Sequence, residues 1–280
     1  MVIERPPSPN AEMAAIASAA EAADGVSPLN ELGWLAVHGE RAAQFYATEA
    51  AFAVRDAREG TAQLVVHPDH RRRGLGRDVA TAVLTEYPST KWWAFGNLPG
   101  AIALAEGLGL HCVRQLLLMT RPLTPLTPIA PEPPITIGPY STQDAPAIVE
   151  VNGLAFAHHP EQGNLTLDDF VVLASQPWFD PDGLLVARDG DRVLGFHWTK
   201  RHSASEGEVY VLAVHPDAEG RGLGRALLEA GLDHLQRQGC DTVKLYVESS
   251  AKRVVNLYLS ASFGISAVDA LYAASKDNHD

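Results

Sequence analysis

Alanine fills most apolar positions of residues 11–23, and its high intrinsic preference predicts a helix there. Short apolar runs at 52–55 (FAVR) and 62–66 (AQLVV) predict strands, followed by a helix over 78–85 and a strand over 92–95. Further on, 144–156 is predicted as a helix. Strands follow at 183–188, 193–199 and 208–214, the first two joined by the turn Asp189-Gly-Asp191. Apolar positions recur at helical spacing over 224–238, which predicts an amphipathic helix, and 242–247 reads as a strand. The order helix, antiparallel strands, then strand–Gly loop–helix–strand indicates an α+β fold with a mixed, mostly antiparallel sheet flanked by helices.

Between the halves, residues 122–134 (PLTPLTPIAPEPP) place six prolines in thirteen positions. Proline fixes φ and removes an N–H donor, so the segment is expected to be a stiff, extended linker. It divides the chain into domains 1–121 and 135–280. The two domains repeat one another: residues 64–77 (LVVHPDHRRRGLGR) and 212–225 (LAVHPDAEGRGLGR) agree without gaps at ten of fourteen positions. Duplication explains that agreement.

A formal net charge of −12 disfavours nucleic acid and anionic membrane as partners. No apolar run reaches the ~20 residues of a membrane span, and the N-terminus carries no signal-peptide pattern. The two cysteines, Cys112 and Cys240, form neither a disulfide framework nor a metal cluster. A cytoplasmic monomer with reduced thiols is expected. His158 and His159 lack further ligands at suitable spacing, so they are read as loop residues and no metal is expected.

The repeated segment carries the chemistry. A strand runs into His-Pro-Asp, then a basic, Gly-rich loop, then a helix. Gly220, Gly222 and Gly224 allow close backbone approach. They leave helix N-terminal N–H groups pointing outward, at an end that favours phosphate. Arg221 and Arg225 add local positive charge, as do Arg71, Arg72, Arg73 and Arg77 in the first half. The Walker pattern lacks its Gly-Lys-Ser/Thr, and the Rossmann fingerprint has a different glycine spacing.

Arg71-x-x-Gly74-x-Gly76 resembles the Arg/Gln-x-x-Gly-x-Gly/Ala signature of the GNAT acetyltransferases; Glu219-x-x-Gly222-x-Gly224 departs from it only at its first residue. Seven further stretches are more specific: 24–31 (DGVSPLNE), 155–163 (AFAHHPEQG), 178–185 (WFDPDGLL), 194–200 (LGFHWTK), 207–212 (GEVYVL), 245–249 (LYVES) and 268–273 (VDALYA). With them nearly the whole chain resembles the mycothiol synthase family of tandem GNAT enzymes. The resemblance implies two tandem GNAT domains and acetyl transfer from acetyl-CoA to the cysteinyl amine of desacetylmycothiol, without a metal.

The resemblance also implies residue roles. Acetyl-CoA would lie on Leu212, Ala213, Val214, Glu219, Gly220, Arg221, Gly222, Leu223, Gly224 and Arg225. In the first half it would lie on Leu64, Val65, Val66, Arg72, Arg73, Gly74, Leu75, Gly76 and Arg77. Lys252 and Arg253 join the set on charge alone. Glu208 suits a general base for the amine and also contacts substrate. Tyr258 falls where the family keeps its acid tyrosine. Further substrate contacts are Glu31, Glu161, Lys200 and Tyr246. Ala251 stands where the family usually has Asn, and Ala261-Ser-Phe263 replaces Leu-Gly-Phe. The first half lacks counterparts of Glu208 and Tyr258, so it is expected to hold acetyl-CoA without catalysing. Two alternatives stay open: a tandem GNAT acting on another small amine or a protein N-terminus, and a non-catalytic acyl-CoA-binding regulator.

Overall fold

In the computed structural model, residues 3–157 and 163–274 are described. They divide into two compact units. The first comprises the chain to Leu118, Val247–Lys252 and the residues from Ile265 onward; the second comprises Met119–Tyr246 and Arg253–Gly264. The first unit therefore takes in segments that lie within 135–280.

The first unit opens with helix α1 (Ala11–Asp24), whose first turn is capped by Asn10 Oδ1 accepting from Met13 N–H. Helix α2 (Glu31–Val37) is capped in the same way by Asn30. Strands β1 (Gln44–Ala47), β2 (Ala51–Asp56) and β3 (Thr61–Val66) form an antiparallel meander. Helix α3 (Leu75–Glu86) then returns the chain to β4 (Lys91–Ala94), which lies parallel to β3. Helix α4 (Pro99–Gly107) and strand β5 (Leu110–Pro122) follow.

The second unit repeats this plan. Strand β6 (Thr136–Pro139) leads to helices α5 (Ala145–Ala155) and α6 (Leu167–Ala174). Strands β7 (Leu184–Asp189), β8 (Arg192–Arg201) and β9 (Glu206–Val214) extend the antiparallel meander begun by β6. Helix α7 (Leu223–Arg237) crosses to β10 (Thr242–Glu248), parallel to β9. Helix α8 (Lys252–Ser260) precedes the last strand, β11 (Gly264–Ala274), which returns to the first unit. Strand order is β1-β2-β3-β4-β11-β5 in the first unit and β10-β9-β8-β7-β6 in the second.

Each core is the apolar face of a sheet closed by helices. In the first unit Met13, Ile16 and Ala20 of α1 pack on Phe52, Val54 and Val65. In the second, Ile148 and Phe170 pack on Val186, Phe196 and Trp198. Glycines permit close approach: a Cβ on Gly195 would stand 2.7 Å from Ala213 O, and one on Gly231 2.1 Å from the His197 ring. His197 is fully buried between β8 and α7, with Nδ1 2.9 Å from Leu227 O. A carbonyl only accepts, so Nδ1 carries the proton, and burial pushes the imidazole pKa down to about 4.

The segment 123–134 has no regular structure and is tied at Leu123 N–H to Asp241 O (2.7 Å) and at Ile129 N–H to Glu229 Oε2 (3.0 Å). Among the described residues no helix is long and apolar enough to cross a membrane.

Candidate active site

The same device occurs in both units. β9 and β10 pair in parallel only at Glu206/Thr242, Gly207/Val243 and Glu208/Lys244. Beyond Glu208 the strands part, and β9 keeps its partner β8 on the other side. His215 N–H donates to Leu194 O at 2.8 Å, toward β8. Backbone direction alternates along a strand, so the N–H groups of Leu212 and Val214 face the gap. In the first unit β3 and β4 pair only to Gln63/Trp93. There His67 N–H donates to Ala50 O (2.8 Å), which turns the N–H groups of Leu64 and Val66 to the gap. These donors suit the carbonyl of a thioester and the amides of an extended chain such as pantetheine.

Each gap ends at a helix start. Gly222 (φ 73°) precedes α7 and Gly74 (φ 87°) precedes α3, both in the left-handed region and neither offering a side-chain cap. The first N–H groups of each helix have no intrahelical acceptor, so the turn is built to take an anion. Gly220 (φ 77°) lets the second loop turn without strain. Leu223 is buried and anchors its loop, whereas Glu219, Gly220, Arg221 and Gly222 are exposed.

In the first unit this arrangement lines a cavity of about 760 Å³. Its wall includes Leu64, Val65, Val66, Arg72, Gly74, Leu75, Gly76 and Arg77. Arg73 is not on that wall; its guanidinium donates to Asp69 O (3.0 Å). Arg77 donates to Gly107 O (2.8 Å), and Arg71 holds Asp24 through two 2.7 Å hydrogen bonds. The stretch 24–31 thus anchors the first loop. The stretch 268–273 acts similarly in the same unit: Asp269 accepts from Gly96 N–H (2.8 Å), and Tyr272 donates to Asn97 Oδ1 (2.8 Å).

In the second unit the cations are differently engaged. Arg225 donates to Glu229 (2.5 Å) and Ser260 (3.1 Å). Arg253 pairs with Glu219, bringing a cation to the loop residue that departs from the arginine of the first repeat. Arg221 and Lys252 are exposed.

Glu208, Lys200 and Tyr246 share one face of the second unit's sheet. Lys200 and Lys244 stand opposite Glu208 in register, and Tyr246 follows Lys244 by two residues. The Lys200 Nζ lies 4.5 Å from the Trp178 ring centroid and 5.2 Å from that of Tyr210. Glu208 is the third residue of β9, and its Oε2 lies 2.5 Å from His202 Nε2. Tyr258 is buried on α8 against Phe263, and burial raises its phenol well above the usual tyrosine range. Glu31 opens α2 in the first unit and is exposed. Glu161, His158 and His159 lie outside the described residues. Among the described residues no group of three or more His, Cys, Asp or Glu is placed to hold a metal.

A second cavity, of about 550 Å³, is lined by Trp178, Phe179, Asp180, Thr199, Arg201, His202, Ser203 and His234, among others. Sequence reasoning did not single out His202. Its signal was available only in outline: a histidine of Glu208's parity, across a short connection between two strands.

Comparison with known proteins agrees with this geometry. The acetyltransferase (GNAT) family model matches residues 154–264. A mycothiol acetyltransferase of Propionibacterium freudenreichii is 44% identical over 266 residues, covering 90% of this chain and 85% of the relative. One of Thermobispora bispora is 42% identical, covering 96% and 97%. Among solved structures, a GCN5-related N-acetyltransferase from Sphaerobacter thermophilus aligns with a TM-score of 0.76 at 21% identity, covering 97% of this chain and 94% of that one. A tandem GNAT protein from the clavulanic acid biosynthesis pathway aligns at 0.68 and 15% identity over the whole of both chains. The last two establish the GNAT fold, and the first two establish more: the chain belongs to the mycothiol acetyltransferase family.

Proposed function

We propose that the protein transfers an acetyl group from acetyl-CoA to the cysteinyl amine of desacetylmycothiol, giving mycothiol and CoA, and that the second unit does the chemistry. The observation that carries this reading is the single sheet face bearing Glu208, Lys200 and Tyr246 where β9 and β10 part, on the strand that leads to the Gly222 helix start.

The acceptor amine has an ordinary pKa of roughly 7.7–8.0, so much of it is protonated at neutral pH. Glu208 takes one proton, and the freed nitrogen attacks the thioester carbonyl carbon. The oxyanion is met by N–H groups of the 212–214 segment. The nitrogen's second proton passes to solvent as the carbon–sulfur bond breaks, and Glu208 then releases its own proton to solvent. Tyr258, kept neutral by burial, gives its phenolic proton to the departing thiolate and is reprotonated from solvent. Lys200 has no carboxylate partner among the described residues and is held over two aromatic rings, which suits it to substrate hydroxyls. Glu31, Glu161 and Tyr246 are assigned to the same substrate by resemblance.

The phosphate loops of both units are assigned to acetyl-CoA, the first as a non-catalytic site. It lacks a carboxylate at the place of Glu208 and has Leu104 or Ala105 where Tyr258 would fall. The reading includes a cytoplasmic location, which the two free thiols Cys112 and Cys240 support, and a monomer.

The test is direct. Purified protein with acetyl-CoA and desacetylmycothiol should yield mycothiol and CoA in equal amounts by chromatography. Glu208→Gln should lower kcat by about 10²–10⁴-fold. Acetyl-CoA binding without turnover of desacetylmycothiol would overturn the reading in favour of a regulator.

A further inference from the structure

Glu208 is flanked in register by two cations, Lys200 on β8 and Lys244 on β10. Neither holds its carboxylate. Lys244 Nζ is taken by Glu206 Oε1 at 2.6 Å, and Lys200 Nζ sits over the Trp178 and Tyr210 rings. The partner that does hold it is His202, whose Nε2 lies 2.5 Å from Glu208 Oε2. Among the described residues Glu208 Oε1 has no protein hydrogen bond.

The imidazole is carried on a fixed support. His202 N–H donates to Glu206 O (2.9 Å), closing the β8–β9 hairpin. Within the connection, Ser203 Oγ accepts from the N–H groups of Ser205 (3.2 Å) and Glu206 (3.1 Å). Two strand ends and a braced turn thus fix both members of the contact. The Glu208 side chain is largely buried, so its rotamer is set by this bond and not by water. His202 also lines the 550 Å³ cavity, which brings solvent to its ring edge.

We infer that His202 is a positioning residue for the base. Its Nε2–H fixes Oε2 of the ionised Glu208 and leaves Oε1 as the oxygen that meets the substrate ammonium, directly or through a water. This rests on Glu208 being the base. It implies that loss of His202 costs turnover because Glu208 samples unproductive rotamers, with the acetyl-CoA site untouched.

The experiment is a double-mutant cycle read by kcat and by KM for acetyl-CoA, with thermal melts confirming that each variant is folded. His202→Ala should lower kcat by about 10- to 100-fold with KM for acetyl-CoA within about two-fold of wild type. His202→Gln places an amide nitrogen near the Nε2 position and should recover most of the loss; His202→Asn, whose amide is too short, should not. In the Glu208→Gln background, His202→Ala should change kcat by less than about two-fold, because the group it positions is gone. Unchanged kcat in His202→Ala, or an equal loss in both backgrounds, would sink the positioning role while leaving Glu208 as the base. Full activity in Glu208→Gln would instead remove the base assignment and this inference with it.

Discussion

The Glu219 carboxylate accepts a hydrogen bond from the Arg253 guanidinium, tying the Gly-rich loop of the second unit to the first turn of α8. In the first unit the equivalent loop position is Arg71, bound to Asp24. The duplicated loops therefore carry opposite charge at one site, and in the second the positive charge comes from elsewhere in the chain. Both partners are more than half solvent-accessible or nearly so, at 71% and 50%, so the pair adds little to stability. Its effect should fall on the anion instead. Glu219→Gln should lower KM for acetyl-CoA by about two- to five-fold, and the gain should shrink as salt is raised. Steady-state kinetics at two ionic strengths checks this; a higher KM would mean that the carboxylate assists binding.

Tyr258→Phe tests the proposed proton donor. The ring is buried against Phe263, so phenylalanine should fit without loss of fold. A fall in kcat of about 10- to 100-fold with unchanged KM is expected. Burial raises the phenol pKa, so the proton stays in place through neutral pH. The wild-type rate should show no loss from tyrosine ionisation below about pH 10. A wild-type rate in Tyr258→Phe would assign the thiolate's proton to water.

His197 makes the fold acid-sensitive. Its folded pKa of about 4 lies below the unfolded value of 6.5, so between these values the unfolded chain binds a proton that the native one refuses. Stability is full above pH 6.5 and declines toward pH 4, at most by ~1.4 kcal/mol per pH unit for one proton. Thermal melts from pH 7 to 4.5 should show this slope, and His197→Asn, less stable at pH 7, should show a shallower one.

Gly195 tests how the gap is held. A methyl group there would meet Ala213 O at 2.7 Å and Leu227 Cδ1 at 3.0 Å. Gly195→Ala should force β9 away from β8, lowering the melting temperature by several degrees for ~1–3 kcal/mol of overpacking. Because Leu212 and Val214 ride on that strand, acetyl-CoA binding measured by calorimetry should weaken in parallel. Weaker binding with an unchanged melting temperature would contradict the packing argument.

Much of this was legible from residue order. The repeated LxVHPD–loop–RGLGR segment marks a strand, a turn and a helix start by local chemistry, because glycine at positive φ and orphan N–H groups are properties of adjacent residues. The strands at 62–66 and 208–214 and the helix over 224–238 lie within one or two residues of their predicted ends. What escaped is what depends on distant pairing. β5 and β11 carry no clean alternation, with exposed Val113 and Ile265 among their residues. The partings of β3 from β4 and of β9 from β10 follow from where parallel pairing stops, which no single segment encodes. His202 reaches Glu208 only because the intervening hairpin has the length it has.

The last strand lies antiparallel to β4, pairing Ala270, Leu271 and Tyr272 with Ala94, Trp93 and Trp92, and its order in the first unit's sheet is between β4 and β5. A descendant of gene duplication has thus become a molecule whose first unit is completed by a strand that follows the second unit in the chain. Ribosome-bound intermediates would hold two bare sheet edges until that strand emerges, and cutting the chain at its prolines would orphan a strand on one side and strand edges on the other. Any attempt to recover the ancestral single-domain enzyme must supply a replacement for that borrowed piece.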